Sequence, residues 1–157
     1  MKSIGKRQQT KATKEKIIKS ALDLFNKKGT AAITTHDIAE AAEISPGNLY
    51  YHFKNKEEII RNIFAEIEIF SEPHWATYGP RNPKVGIMDF MRFFVGNLKR
   101  YQFFFREFSR LLQNDPVLAK QWKTTYKSLS EIMRGAVHLW IENGVIKKFS
   151  SNDEVNS

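Results

Sequence analysis

Asn48, Tyr50, Tyr51 and His52 are the residues of this chain whose types and spacing best suit chemistry on a partner. They lie within Thr34–Phe53, TTHDIAEAAEISPGNLYYHF. Leu49 and Phe53, at i and i+4, mark the inward face of a short helix and leave these four polar or aromatic side chains largely outside the core. An amide, two phenols and an imidazole suit hydrogen bonding to base edges and phosphate oxygens. Covalent catalysis has no comparable set. There is no cysteine, no phosphate-binding glycine loop and no nucleophile–base pairing. His36, His52, His74 and His138 form no metal-ligand spacing, so no metal and no cofactor is expected.

Two helix starts position these residues. Thr34 can N-cap a first helix, its hydroxyl accepting from the Asp37 N–H while the Asp37 carboxylate returns the bond. Ile38, Ala39 and Ala42 supply that helix with an apolar face. Ser45 caps the second helix and Pro46 occupies its first position, where a missing N–H costs nothing. Two short helices joined by a tight turn describe a helix-turn-helix, whose second helix is expected to enter a DNA major groove.

The flanking chain reads as helix throughout, so the fold class expected is all-α. A helix over Thr13–Lys28 carries Ile17, Ile18, Ala21, Leu22, Leu24 and Phe25, with Gly29 as a left-handed cap. Asn55 caps a fourth helix with Glu58 three residues on. Ile59, Ile60, Ile63, Phe64 and Ile67 form its buried side, and the helix is expected to fade near Phe70, ahead of Pro73. Ser71–Arg81 reads as a connection. After Asn82-Pro83, the residues Val85, Ile87, Met88, Met91, Phe94, Val95 and Leu98 recur at helical spacing. Phe90 and Phe93 lie off that stripe, and YQFFFREF follows. Asp115-Pro116 opens a long helix whose seam is Leu118, Trp122, Tyr126, Leu129, Met133, Ala136 and Trp140, closed by Asn143-Gly144.

The formal net charge of +8 is unevenly spread. Residues 1–28 carry nine Lys/Arg against Glu15 and Asp23, so a basic segment precedes the motif. It can be a solvated terminus or a phosphate-tracking arm. The N-terminus has no apolar segment of a secretory signal, and no apolar run approaches the roughly 18 residues of a membrane span. A cytoplasmic protein without membrane contact is expected.

One helix, a helix-turn-helix ending in Leu49-Tyr50-Tyr51-His52-Phe53, and Lys54-Asn55-Lys56 opening a fourth helix together resemble the TetR family of transcriptional regulators, over roughly Thr13 to Phe64. The resemblance implies DNA contacts position by position. Thr35 and His36 match positions that touch phosphate or a base, and Pro46, Gly47 and Asn48 match base-reading positions. Tyr50, Tyr51 and His52 match groove- and phosphate-facing positions, and Lys56 matches a phosphate contact. Half-buried packing between helices is a second reading of Tyr50. Glu43 departs from the pattern: it occupies the turn position where the family usually carries glycine, so either it accepts a left-handed backbone or the turn is altered.

The organisation implied is a basic arm over 1–12, a helix-turn-helix domain over 13–56 and a helical regulatory domain over 57–157, incomplete at its C-terminus. That last expectation rests on Ser151-Asn152-Asp153-Glu154, a capping box followed by only three residues. With it goes an exposed apolar patch near Leu129, Met133 and Trp140, and weak association of this chain where the full-length form would be a homodimer. The Phe- and Met-rich half can line an apolar cavity for a hydrophobic or aromatic small-molecule effector, with Met88, Met91, Phe94, Phe104, Phe108, Trp122 and Tyr126 as candidate lining; the same side chains can instead fill a core. The function expected is a ligand-responsive repressor that binds a palindromic double-stranded DNA operator as a dimer. A helical ligand-binding or interaction module with vestigial DNA contacts is the alternative.

Overall fold

Helix α1, Lys2–Lys28, is the beam on which the other elements are hung. The computed structural model describes residues 2–67 and 83–144. Ile17, Ile18, Ala21, Leu22 and Phe25 of α1 are all buried, and the helix ends where Gly29 turns left-handed at φ +79°. It begins eleven residues before the expected Thr13, so the basic segment continues the helix.

Helices α2 (Thr35–Ala41), α3 (Pro46–His52) and α4 (Lys56–Ala65) follow. Each starts at the side-chain cap its sequence encodes. The Thr34 hydroxyl accepts from Asp37 N–H at 3.2 Å, and the Asp37 carboxylate accepts from Thr34 N–H at 2.7 Å. Those bonds to Thr34 hold the Asp37 carboxyl below its ordinary range. Ser45 caps α3, and Asn55 caps α4 by accepting from Glu58 N–H. Glu58 returns its bond to Lys54 N–H, one residue before the expected position. At seven residues, α2 and α3 are too short to persist alone. They persist because Ile38, Ala39, Leu49 and Phe53 are almost completely buried, at roughly 1.5–3 kcal/mol for each large side chain. Helix α4 stops at Ala65, before the expected Phe70. Residues 68–82, including the predicted connection, lie outside the described residues.

The second half comprises α5 (Pro83–Arg100), α6 (Gln102–Asn114) and α7 (Pro116–Glu142). The break between α5 and α6 at Tyr101 carries no glycine or proline. Its cause is Asn26 of α1. The Asn26 side-chain amide donates to Arg100 C=O at 2.8 Å and accepts from Phe103 N–H at 3.0 Å, taking over groups that an uninterrupted helix would pair internally. Tyr101 is buried at the bend, and its hydroxyl donates to Glu66 C=O.

Helix α6 packs on α1, α5 and α7, and one apolar cluster runs from Ile17 and Phe25 through Leu49, Phe53 and Ile63 to Phe103, Phe104, Leu111 and Leu118. The core is therefore continuous across the expected boundary at 56/57. Asp115 caps α7 with Oδ1 and binds Arg61 of α4 with Oδ2 at 2.7 Å. Along α7 the apolar patch expected at Leu129, Met133 and Trp140 is not found at those residues. Trp140 is buried and Leu129 and Met133 are half-buried, whereas Tyr126, Val137 and Leu139 are exposed. The Ser151–Glu154 capping box lies outside the described residues.

Candidate nucleic-acid interface

The outward surface of the helix-turn-helix is assembled by what α2 and α3 bury. With Leu49 and Phe53 locked inward, Pro46, Gly47, Asn48, Tyr50 and Tyr51 are exposed and His52 is half-buried. Tyr51 stands 74% exposed, far out for a residue of its size. Tyr50 is 53% exposed and also joins the two helices. Its hydroxyl lies 2.8 Å from Thr35 Oγ1, a pair on the surface that ties the start of α2 to the middle of α3. His36, beside Thr35, is exposed. A Cβ added to Gly47 would meet nothing within 4 Å, so the fold itself makes no demand for glycine there.

The turn between α2 and α3 is held from outside. Glu43 adopts φ +50°, the left-handed backbone that a glycine takes without cost, and the turn keeps its shape. The Glu43 carboxylate accepts from Lys16 Nζ of α1 at 2.6 Å, and that bond and charge hold its carboxyl below the ordinary range.

Lys56 is turned differently from the phosphate-facing role its position implies. Its ammonium donates to Thr30 C=O and Ile33 C=O, at 2.7 Å each. The side chain therefore spans the loop between α1 and α2 and reaches back into the protein. Two of its three protons are engaged there.

The seven candidate effector residues separate into groups. Phe104 is fully buried, stacked on Phe64 at 5.3 Å and edge-on to Phe108 at 5.7 Å. Phe108 and Trp122 are half-buried and meet edge to face at 4.8 Å, and Phe94 packs against the same core. Met88, Met91 and Tyr126 are 56%, 48% and 58% exposed. For Met88 and Met91 the helix face is open among the described residues. Tyr126 meets Trp122 of the cluster at 5.9 Å. A cleft of about 430 Å³ between α4 and α7 is lined by Phe64, Ala65, Val117, Lys120, Gln121, Thr124 and Thr125, none of them among the seven.

The junction between the motif and α6 was not foreseen. Thr30, buried in the loop after α1, donates its N–H and its hydroxyl to Glu107 of α6. Arg110 reaches both Thr30 Oγ1 and the Glu107 carboxylate, and Arg106 reaches Phe25 C=O at the end of α1. Burial pushes the Glu107 carboxyl up, but the Thr30 bonds and the Arg110 charge outweigh it, and the net direction is down. No local sequence signal marks residues 77 positions apart as partners.

Among the described residues no group of three or more His, Cys, Asp or Glu could hold a metal ion, and no helix is long and apolar enough to cross a membrane.

This geometry accords with comparisons to known proteins. Residues 17–63 match the family described as bacterial regulatory proteins, tetR family, and residues 79–157 match a family described as bacterial transcriptional repressor. The HTH-type transcriptional regulator QacR of Staphylococcus aureus is 48% identical over 62 residues, 40% of this chain and 31% of that protein. RutR of Escherichia coli is 28% identical over 147 residues, covering 92% of this chain and 69% of RutR. The match to QacR spans about a third of that relative's length. The crystal structure of a TetR-family transcriptional regulator from Marinobacter aquaeolei superposes with a TM-score of 0.73 at 32% identity, covering 88% of this chain and 69% of that one. With both halves matched in order and the capped helix-turn-helix in place, the chain belongs to the TetR family of transcriptional regulators.

Proposed function

We propose that this chain is the DNA-reading and effector-sensing part of a transcriptional repressor that binds a palindromic operator as a dimer. The observation that carries the reading is the outward face of α3: Asn48 and Tyr51 exposed on a helix whose Leu49 and Phe53 are fixed in the core. An Asn in the major groove can bond bidentately to adenine, while Tyr and Thr hydroxyls bind phosphate and set the register. The open space at Gly47 lets the backbone approach base edges.

Effector control would reach that face through α6 and α4. Phe104 and Phe108 of α6 meet Phe64 of α4 and Trp122 of α7, and Glu107 between them holds the loop ahead of α2. An apolar or aromatic molecule that parts Phe108 from Trp122 would move α6, and α6 carries Thr30 and α1 with it. A ligand favouring the shifted arrangement would change the spacing of two α3 helices in a dimer and release the operator. Such a regulator works in the cytoplasm, and no step of this scheme calls for catalysis.

Selection from a pool of random duplex DNA tests the reading. Enrichment of an inverted repeat supports it. Failure to retain any duplex at low salt would leave only the interaction-module alternative.

A further inference from the structure

Where α4 starts, α6 ends and α7 begins, a narrow cleft of about 130 Å³ opens against the loop that follows α1. Neither Phe108 nor Trp122 lines it, so it is a different space from the aromatic cluster. Its floor is apolar, made by the buried side chains of Ile60, Leu111 and Leu118.

The rest of its lining is rich in hydrogen-bond donors. Lys56 gives two of its three ammonium protons to the Thr30 and Ile33 carbonyls, which leaves one for a guest. Arg110 reaches Thr30 Oγ1 and the Glu107 carboxylate through Nη2, so Nε and Nη1 keep their protons uncommitted. The Asn114 side chain, exposed at the end of α6, has no partner among the described residues. The acceptors nearby are taken. Thr30 C=O holds Lys56, while Asp115 spends Oδ1 on the Val117 and Leu118 N–H groups and Oδ2 on Arg61. Glu57, an exposed residue, is the one lining carboxylate without a bond or ion pair among the described residues.

Two cations with protons to spare, above an apolar floor, suit a guest that is anionic at one end and hydrocarbon at the other. Size limits it further. An apolar cavity of roughly 150 Å³ takes a molecule of the size of benzene, and this cleft is slightly smaller.

We propose that this cleft is a binding site for a small carboxylate with a short alkyl body, the carboxylate held by Lys56, Arg110 and Asn114 and the alkyl chain laid on Ile60, Leu111 and Leu118. A guest there ties the start of α4, the loop ahead of α2 and the end of α6 together, at the junction of the motif with the second half of the chain. The proposal goes beyond the reading above and does not depend on it, because neither DNA nor the aromatic cluster takes part.

The test is a titration of the whole chain with sodium butyrate, which has as many heavy atoms as benzene, at constant ionic strength. Saturable NMR shifts are expected at the Asn114 side-chain amide and the Leu111 and Leu118 methyls. Butylammonium should give none, and inorganic phosphate, which has no alkyl body, should bind more weakly. Lys56 and Arg110 also hold the loop, so variants at exposed positions guard against misfolding. Ala31→Phe, which puts a ring into the cleft lining, should abolish saturation. Asn114→Asp should weaken butyrate binding, and Glu57→Gln should strengthen it by about twofold or more as a like charge is removed. Lys123→Ala, outside the cleft, should bind as wild type does. Shifts that grow linearly without saturation, an equal response to butylammonium, or one affinity across the Ala31, Asn114 and Glu57 variants overturns the site. Phosphate bound as tightly as butyrate overturns the assignment of an alkyl carboxylate.

Discussion

Glu107 and Thr30 lie 77 residues apart, and the carboxylate of one accepts both the backbone N–H and the hydroxyl of the other. Thr30 C=O is held in turn by Lys56. One buried threonine thus links α6, the loop ahead of α2 and the start of α4. A carboxylate bonded in this way has a depressed folded-state pKa, so its stabilisation is complete above the ordinary value of 4.5 and is lost as pH falls through the lower, folded value. Glu107→Gln should lower stability by about 1–2 kcal/mol at neutral pH. Melting curves of variant and wild type should converge in acid. A gap that persists at low pH would show that shape, and not charge, is what matters.

Gly29 tests the same junction from the other side. A Cβ there would sit 2.8 Å from Glu107 Oε1, on a backbone at φ +79°. Gly29→Ala should cost at least ~1 kcal/mol from the left-handed backbone alone, plus the displacement of Glu107. Denaturant titration should find a smaller cost for Gly29→Ala in a Glu107→Ala background, and equal costs in both backgrounds would contradict the contact.

Local patterns were legible in the sequence and long-range ones were not. Thr34 with Asp37, Ser45 with Pro46, Asn55, Asp115 with Pro116 and Gly29 each announce a helix end within a few residues, and the structure places helix ends at all of them. Glu43 was legible as a departure from the family pattern, which left a left-handed backbone and an altered turn both open; the structure has the left-handed one. The break at Tyr101 was not, since the group that creates it, Asn26, is 75 positions away. The inward turn of Lys56 depends on carbonyls that only the folded loop presents. For α7, Trp140 was expected in an apolar patch left without a partner, and the structure buries it. The outward residues of α3 could be read because Leu49 and Phe53 leave them only one side.

Lys56→Ala should act on the fold whether or not DNA is present. Losing two charge-assisted bonds to loop carbonyls should cost about 1.5–3 kcal/mol. A variant with wild-type stability and weakened DNA binding would instead assign the ammonium to phosphate.

Phe104, fully buried among Phe64, Phe103 and Phe108, should behave as core. Phe104→Ala should destabilise by about 3–5 kcal/mol. Met88→Ala and Met91→Ala, at exposed positions, should stay within about 0.5 kcal/mol of wild type. Equilibrium unfolding separates these outcomes, and a mild Phe104→Ala would point to a cavity beside the ring.

Gly47→Ala should separate fold from function. Nothing in the protein meets an added methyl, so the helix should gain about 0.5–1 kcal/mol. DNA affinity should fall as the methyl meets the groove. A variant that is stabilised and binds DNA as wild type does would mean that the backbone at Gly47 stays clear of the bases.

The most direct test of the central claim is the ratio of affinities for the selected duplex and a scrambled one, measured for wild type and Asn48→Ala at one salt concentration. If α3 reads bases, the substitution should reduce that ratio by roughly 5- to 150-fold, corresponding to ~1–3 kcal/mol of discrimination, while binding to the scrambled duplex changes little. A ratio that stays the same, with both affinities lowered together or not at all, would contradict base reading by the recognition helix.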